Sequence, residues 1–222
     1  YCCATPPIHF WTTDNNEYLT LQTEGWISEG IPGYMLPAQP IPNAQAVPVF
    51  SVVNAGSREA GPIAPGELVS IFGHDLAHAR VRIDGAAARV MSAEENEIRA
   101  IVPLQVAGKR QVTVQVNTES TEVPVAAARP ALFAADPYGK GELLMAWPGE
   151  EVVLPATGLG QDLPISVTVG GLPAELLSRT DQDGKSALRI RIPFGLEPNT
   201  SVPVTVRAGE YTSQAGVALT MR

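Results

Sequence analysis

The chain has 222 residues, of which 45% are hydrophobic and 17% charged, with a net charge of −8; it is long enough for one large domain or two smaller ones. The acidic balance argues against the basic patches that hold nucleic acid or anionic membrane surfaces. No apolar run approaches the ~18 residues of a membrane helix, so membrane insertion is not expected either.

Residues 1–46 differ from everything after them. They contain Asp14, Glu17, Glu24 and Glu29 but no Lys or Arg; the first basic residue is Arg58. With Phe50 included, they hold more than half of the aromatic residues. Tyr1-Cys2-Cys3 lacks the basic start and apolar stretch of a signal peptide, and the absence of an initial Met leads us to expect a mature or excised chain. EYLTLQT (17–23) alternates apolar and polar residues, a strand signal. GIPGYMLPAQPIPNAQAVP (30–48) reads as an extended, polyproline-like connector.

From residue 47 onward, strand follows strand. VPVFSVV, ELVSIFG, RVRIDG, EIRAIVP, RQVTVQV and EVPVAAA come first. RPALFAADPYGKG reads as a linker, after which come ELLMAW, EVVLPAT, ISVTVGG, ALRIRIP, VPVTVRAG and GVALTMR. Spacings of ~8–15 residues with Gly, Pro, Asn or Asp between strands point to β-sandwiches. The two stretches repeat each other: PGELVSIFGHDL (65–76) aligns with PGEEVVLPATGL (148–159), VRIDGAAA (81–88) with VTVGGLPA (167–174), and IRAIVP (98–103) with LRIRIP (188–193). The period is that of a compact sandwich, well above the ~20–50 residues of a solenoid. The expected fold is all-β: two tandem immunoglobulin-like β-sandwich domains, residues 47–130 and 131–222, behind an extended N-terminal arm and Pro-rich connector, residues 1–46.

VVNAGS…GPIAPGELVSIFGHDLA, then ATGLG, VTVGGLPAELL and RIRIP, resemble a C-terminal module found in large secreted proteins of soil bacteria, of the IPT/TIG branch of immunoglobulin-like folds. The resemblance covers residues 50–222 and departs where the second half is shorter, before Trp147 and after Gly160. It implies a secreted or cell-surface setting and no catalysis.

The chemistry-bearing patterns are few. His74 and His78 form an H-x-x-x-H pair, but in a loop, where the spacing does not bring both rings to one metal; His9 stands apart. DQDGKS (181–186) has half the acidic pattern of a calcium loop and lacks the closing Glu, so a hairpin turned by Asp183-Gly184 is expected. AEENE (93–97) reads as a solvated turn. GLGQD (158–162) lacks the Lys-Ser/Thr of a phosphate loop, and Asn199-Thr200-Ser201 matches a glycosylation sequon. No nucleophile motif appears. Neither an enzyme nor a cofactor is expected, and no metal site.

Cys2 and Cys3 are the only cysteines. Adjacent thiols close on each other, stay free, or bond other chains; neighbouring Cα atoms ~3.8 Å apart count against the first. An arm with no core of its own has to dock on its own sandwiches or on a neighbour's. Its strand, through Tyr18, Leu19 and Leu21, would complete an open sheet edge, with Trp11, Trp26 and Tyr34 as anchors. The expected function is therefore a self-assembling subunit of an extracellular fibre or surface layer. In that reading its partners are other copies of itself, with Cys2 and Cys3 sealing the contact as a disulfide. The alternative is a carbohydrate- or protein-binding adhesion module of a larger secreted protein, for which the same aromatics would form a sugar-stacking platform.

Overall fold

A computed structural model describes residues 50–136 and 138–222. The chain divides into two units, Tyr1–Ala46 and Val47–Arg222. The arm residues Trp11, Tyr18, Leu19, Leu21, Trp26 and Tyr34 lie outside the described residues, as do Cys2 and Cys3. The disulfide expectation needs correction: no disulfide is present among the described residues, and the fold there is held by apolar packing and hydrogen bonds without a covalent cross-link.

The strands in the first half are β1 (Ser51–Asn54), β2 (Leu68–Phe72), β3 (Val81–Ile83), β4 (Ala86–Ala87), β5 (Arg89–Ala93), β6 (Glu97–Ile101), β7 (Gln111–Val116) and β8 (Glu119–Pro124). They form two four-stranded sheets, β1-β2-β6-β5 and β4-β3-β7-β8. Alternation makes the sandwich. In β7, Val112, Val114 and Val116 point inward and meet Ile71, Ile83 and Ile98 from the other strands. Each such side chain fully buried contributes roughly 1.5–3 kcal/mol.

The second half has β9 (Ala131–Leu132), β10 (Gly141–Ala146), β11 (Glu151–Thr157), β12 (Ile165–Val169), β13 (Leu172–Gln182), β14 (Lys185–Arg191), β15 (Ser201–Ala208), β16 (Tyr211–Thr212) and β17 (Val217–Met221). It repeats the strand order of the first half. β9-β11-β14-β13 stands for β1-β2-β6-β5, and β12-β15-β17 for β3-β7-β8. Its core, around Leu132, Leu154, Leu188, Ile190 and Leu219, is separate from the first. The parallel pair β10–β17, with Ala146 opposite Met221, has its counterpart in a parallel bridge between Ile63 and Val125.

One difference alters the sheet count. In the first half Ala88 separates β4 from β5, so the two sheets stay apart. In the second, β13 runs unbroken through the equivalent position. It pairs with β12 at its start and with β14 along the rest, with a bulge between Leu176 and Ser178. Such bulges bend a strand, and the result is one curled sheet of nine strands. The stretch read as a linker contributes β9, whose Leu132 is fully buried; Leu132 is also tied at both backbone groups to Gln214.

Candidate functional site

The site is built from one local motif used twice. Ala64-Pro65-Gly66-Glu67 and Trp147-Pro148-Gly149-Glu150 are both tight turns with Pro second and a positive-φ Gly third (76° and 81°), the type II pattern. In each, the Glu N–H donates to the carbonyl of the first residue at 3.1 Å. In each, the Glu carboxylate accepts from the N–H of that same residue, at 2.6 Å from Ala64 and 2.8 Å from Trp147. The Gly N–H donates across to Val102 at 3.0 Å and to Ile192 at 2.9 Å.

The two turns then meet different surroundings. The first lies where the halves join. Leu68 N–H donates to Thr157 Oγ1 at 2.8 Å, and that hydroxyl donates to the Gly184 carbonyl at 2.6 Å. Arg129, between the halves, donates to the carbonyls of Glu59, Ala60 and Pro62. Asn54 Nδ2 donates to the Arg129 carbonyl, while its Oδ1 accepts from Gly56 and Ser57. Glu67 is fully buried here and its Oε1 has no hydrogen-bond partner among the described residues. Burial pushes its carboxyl up to about 8, against the opposing pull of the Ala64 N–H, the Arg129 charge and Asn54.

The β13–β14 hairpin tip rests against the first half, as its turn chemistry allows. Asp183 and Gly184 both have positive φ (53° and 73°), the type I′ geometry expected of Asp-Gly. A Cβ at Gly184 would come within 3.2 Å of Leu68 Cβ, and Arg89 meets Asp183 at 2.7 Å. A cleft opens on either side of this tip. One, of about 500 Å³, has Leu104, Ile101, Gln161, Arg179 and Gln182 among its walls. The other, of about 570 Å³, has Met91, Arg99, Val153 and Thr180. Several of the charges around them are paired, while Lys185, which lines both, lies over the Phe133 ring at 5.5 Å. Arg179 Nε bonds Asp181 at 2.9 Å and its Nη2 bonds the Gly160 carbonyl. Burial works to raise the Asp181 carboxyl, but Arg179 and Ser186 outweigh it and hold it below the usual carboxylate range.

The second turn stands in the open. Trp147 is 57% exposed and Phe194 74%. Phe194 sits over the turn glycine: a Cβ on Gly149 would come within 2.6 Å of its Cζ. Neither residue was singled out from the sequence. The signal was there, because the repeat alignment sets Trp147 opposite Ala64 and Phe194 opposite Leu104.

The other sequence candidates fall as follows. His74 and His78 are both exposed, in the loop after β2. No group of three or more metal-ligating side chains occurs among the described residues. In AEENE, Glu94, Glu95 and Asn96 are exposed, but Glu97 is half-buried and bonded to Arg58, Ser70 and Arg99. Burial opposes ionisation there, yet those bonds hold its carboxyl at about 2. Asn199 is exposed. Gly158, Gly160 and Gln161 of GLGQD line the first cleft and open no helix.

Residues 51–126 match the IPT/TIG domain model and form a TIG/IPT-like immunoglobulin-fold domain. A comparison with curated protein sequences finds no match. Among solved structures, the chain is similar to SGBP-B of the Bacteroides ovatus mixed-linkage glucan utilization locus, in complex with a mixed-linkage heptasaccharide. The identity is 17% over 74% of this chain and 45% of that one, with a TM-score of 0.37. It is similar also to the surface glycan-binding protein PbSGBP-B from Prevotella bryantii (13% identity, 76% of this chain, 41% of that one, TM-score 0.28). A third is the I9-I11 tandem from titin (9%, 78% and 65%, TM-score 0.28). The chain thus spans less than half the length of the two glycan-binding proteins.

Proposed function

We propose that the chain is a non-catalytic, extracellular adhesion module, a carbohydrate-recognition unit of a secreted or cell-surface protein, built as two tandem immunoglobulin-like sandwiches at 47–130 and 131–222. The junction carries this reading. Its two clefts mix apolar walls, Leu104, Met91 and Val153, with Gln161, Gln182 and Thr180, which donate and accept hydrogen bonds. Open walls of that kind suit a saccharide, whose rings offer apolar C–H faces and hydroxyl edges. Of the ionisable groups there, Arg179–Asp181 and Arg89–Asp183 form ion pairs and Lys185 lies over the Phe133 ring. General acid–base work needs instead a group poised near the working pH. The IPT/TIG match over residues 51–126 supports the surface setting, and the internal repeat supports extending the soil-bacterial likeness into the second half. The test is retention of the whole chain on an array of immobilised polysaccharides, with the soluble products assayed. Saturable binding to one glycan class without cleavage is expected; retention on none of them would contradict the reading.

Self-assembly is the second reading, and one observation favours it. β5 is the outer strand of its sheet and presents Val90 and Met91 to solvent, 40% and 41% exposed. An extended segment such as Tyr18–Thr23 of another copy would add to that edge by backbone pairing. Sedimentation velocity over a hundredfold concentration range, with and without residues 1–46, tests it. Oligomers that vanish on deletion support it, and a monomer throughout refutes it.

A further inference from the structure

We infer that the Trp147–Phe194 end of the second half is a carbohydrate-stacking site distinct from the junction clefts, and this rests on the carbohydrate reading above. The internal repeat supplies the argument. Both halves carry the same Pro-Gly-Glu turn with the same backbone bonds, and both follow the paired strand with Pro and an apolar residue, Pro103-Leu104 and Pro193-Phe194. In the first half that end is where the second half packs, and Ala64 there is fully buried. A small residue lets the neighbouring backbone come close. Leu104, at the other position, is half exposed and lines the first cleft; in the second half the two positions carry Trp and Phe, and both project further into solvent. A solvent-facing loop has no need of large apolar side chains, and exposed aromatics grouped at one place mark binding surfaces.

The enlargement also decides what binds. Trp147 stands where the first half has the fully buried Ala64, so a further immunoglobulin-like domain cannot pack there in the same way. Two aromatic side chains and a turn are also far less than the ~800 Å² per partner of a stable protein interface. They match a sugar ring, which needs one or two flat aromatic faces. The supporting turn is stiff. Pro148 fixes φ, the Glu150 carboxylate holds the Trp147 N–H at 2.8 Å, and Phe194 lies over a glycine where no Cβ intrudes. The two faces therefore start from a fixed backbone, which lowers the ordering cost of binding.

The experiment is titration calorimetry of the full chain with a hexasaccharide of the class the array selects, using Trp147→Ala, Phe194→Ala, Trp147→Phe and the cleft variant Gln161→Ala/Gln182→Ala. Melting temperatures serve as the fold control. The expected result is a loss of about tenfold or more in affinity for each aromatic-to-Ala change, with Trp147→Phe retaining most of it. Aromatic variants that bind like the wild type, while the cleft variant loses binding, would overturn this site and leave the proposed function standing. A wild-type chain that binds no saccharide would overturn both. Concentration-dependent self-association lost in Trp147→Ala would assign this end to a protein contact and overturn the inference.

Discussion

Glu67 and Glu150 show how far a single residue's behaviour escapes its local sequence. Both close the same turn with the same carboxylate-to-N–H bond, and the Pro-Gly-Glu pattern announces that turn in each half. Only Glu67 is covered by the rest of the molecule; Glu150 is exposed. The turn residues Pro, Gly and Glu are the same in both, and the nearest difference is Ala64 against Trp147; beside Glu67, Leu68 meets Thr157, which in turn bonds Gly184, both far along the chain. The consequence for stability has a definite sign. The folded state holds the Glu67 proton up to about pH 8, whereas an ordinary glutamate loses it near 4.5. Below 4.5 the group is protonated in both states and has no effect. Between 4.5 and 8 the unfolded chain releases a proton that the folded chain keeps, so stability falls as pH rises, by about 1.4 kcal/mol per unit. Glu67→Gln should therefore match the wild type near pH 4 and exceed it by a few kcal/mol above pH 8. Urea unfolding at the two pH values checks this, and parallel pH profiles for the two proteins would contradict it.

At the scale of elements, turns and alternating strands were legible because their causes are local. The Asp183-Gly184 hairpin follows from residues that accept positive φ, and β7 and β14 follow from apolar alternation. The misses have a common origin in pairing across the sheet. β9 is only two residues long, and it counts as a strand because β11 lies beside it. β13 is eleven residues long with a polar second half, so periodicity does not mark it; its partners β12 and β14 do. The hairpin tip is joined to the first half through the Thr157 hydroxyl, which bonds Leu68 N–H and the Gly184 carbonyl. Thr157→Val keeps the shape and leaves the buried Leu68 N–H and the half-buried Gly184 carbonyl without that partner. It should cost about 2 kcal/mol or more, with Thr157→Ser restoring most of it. Gly184→Ala should cost about 1–3 kcal/mol through its positive φ alone. Chemical denaturation of the three variants measures both effects, and a Thr157→Val protein as stable as the wild type would remove the hydroxyl from the joint.

For the whole molecule, the repeat was the strongest sequence signal, and it maps onto matching strand order, matching turns and two cores. The candidate site was less legible, because it depends on which copy of a repeated surface is covered and which stays open. Among the described residues, 50–222 hold two apolar cores, so a chain lacking residues 1–46 should keep its β-sheet circular dichroism and melt cooperatively. Loss of the fold on that deletion would show the cores to be incomplete. The most specific claim is that carbohydrate meets the open aromatic end. Trp147 is one of three tryptophans, and replacing Trp11 and Trp26 with Phe makes it the sole indole reporter. The decisive measurement is its emission during titration with the array-selected hexasaccharide. A saturable change in intensity or wavelength, with the same midpoint as calorimetry, is predicted. Emission that stays constant while calorimetry records binding would contradict that claim and return the sugar to the junction clefts.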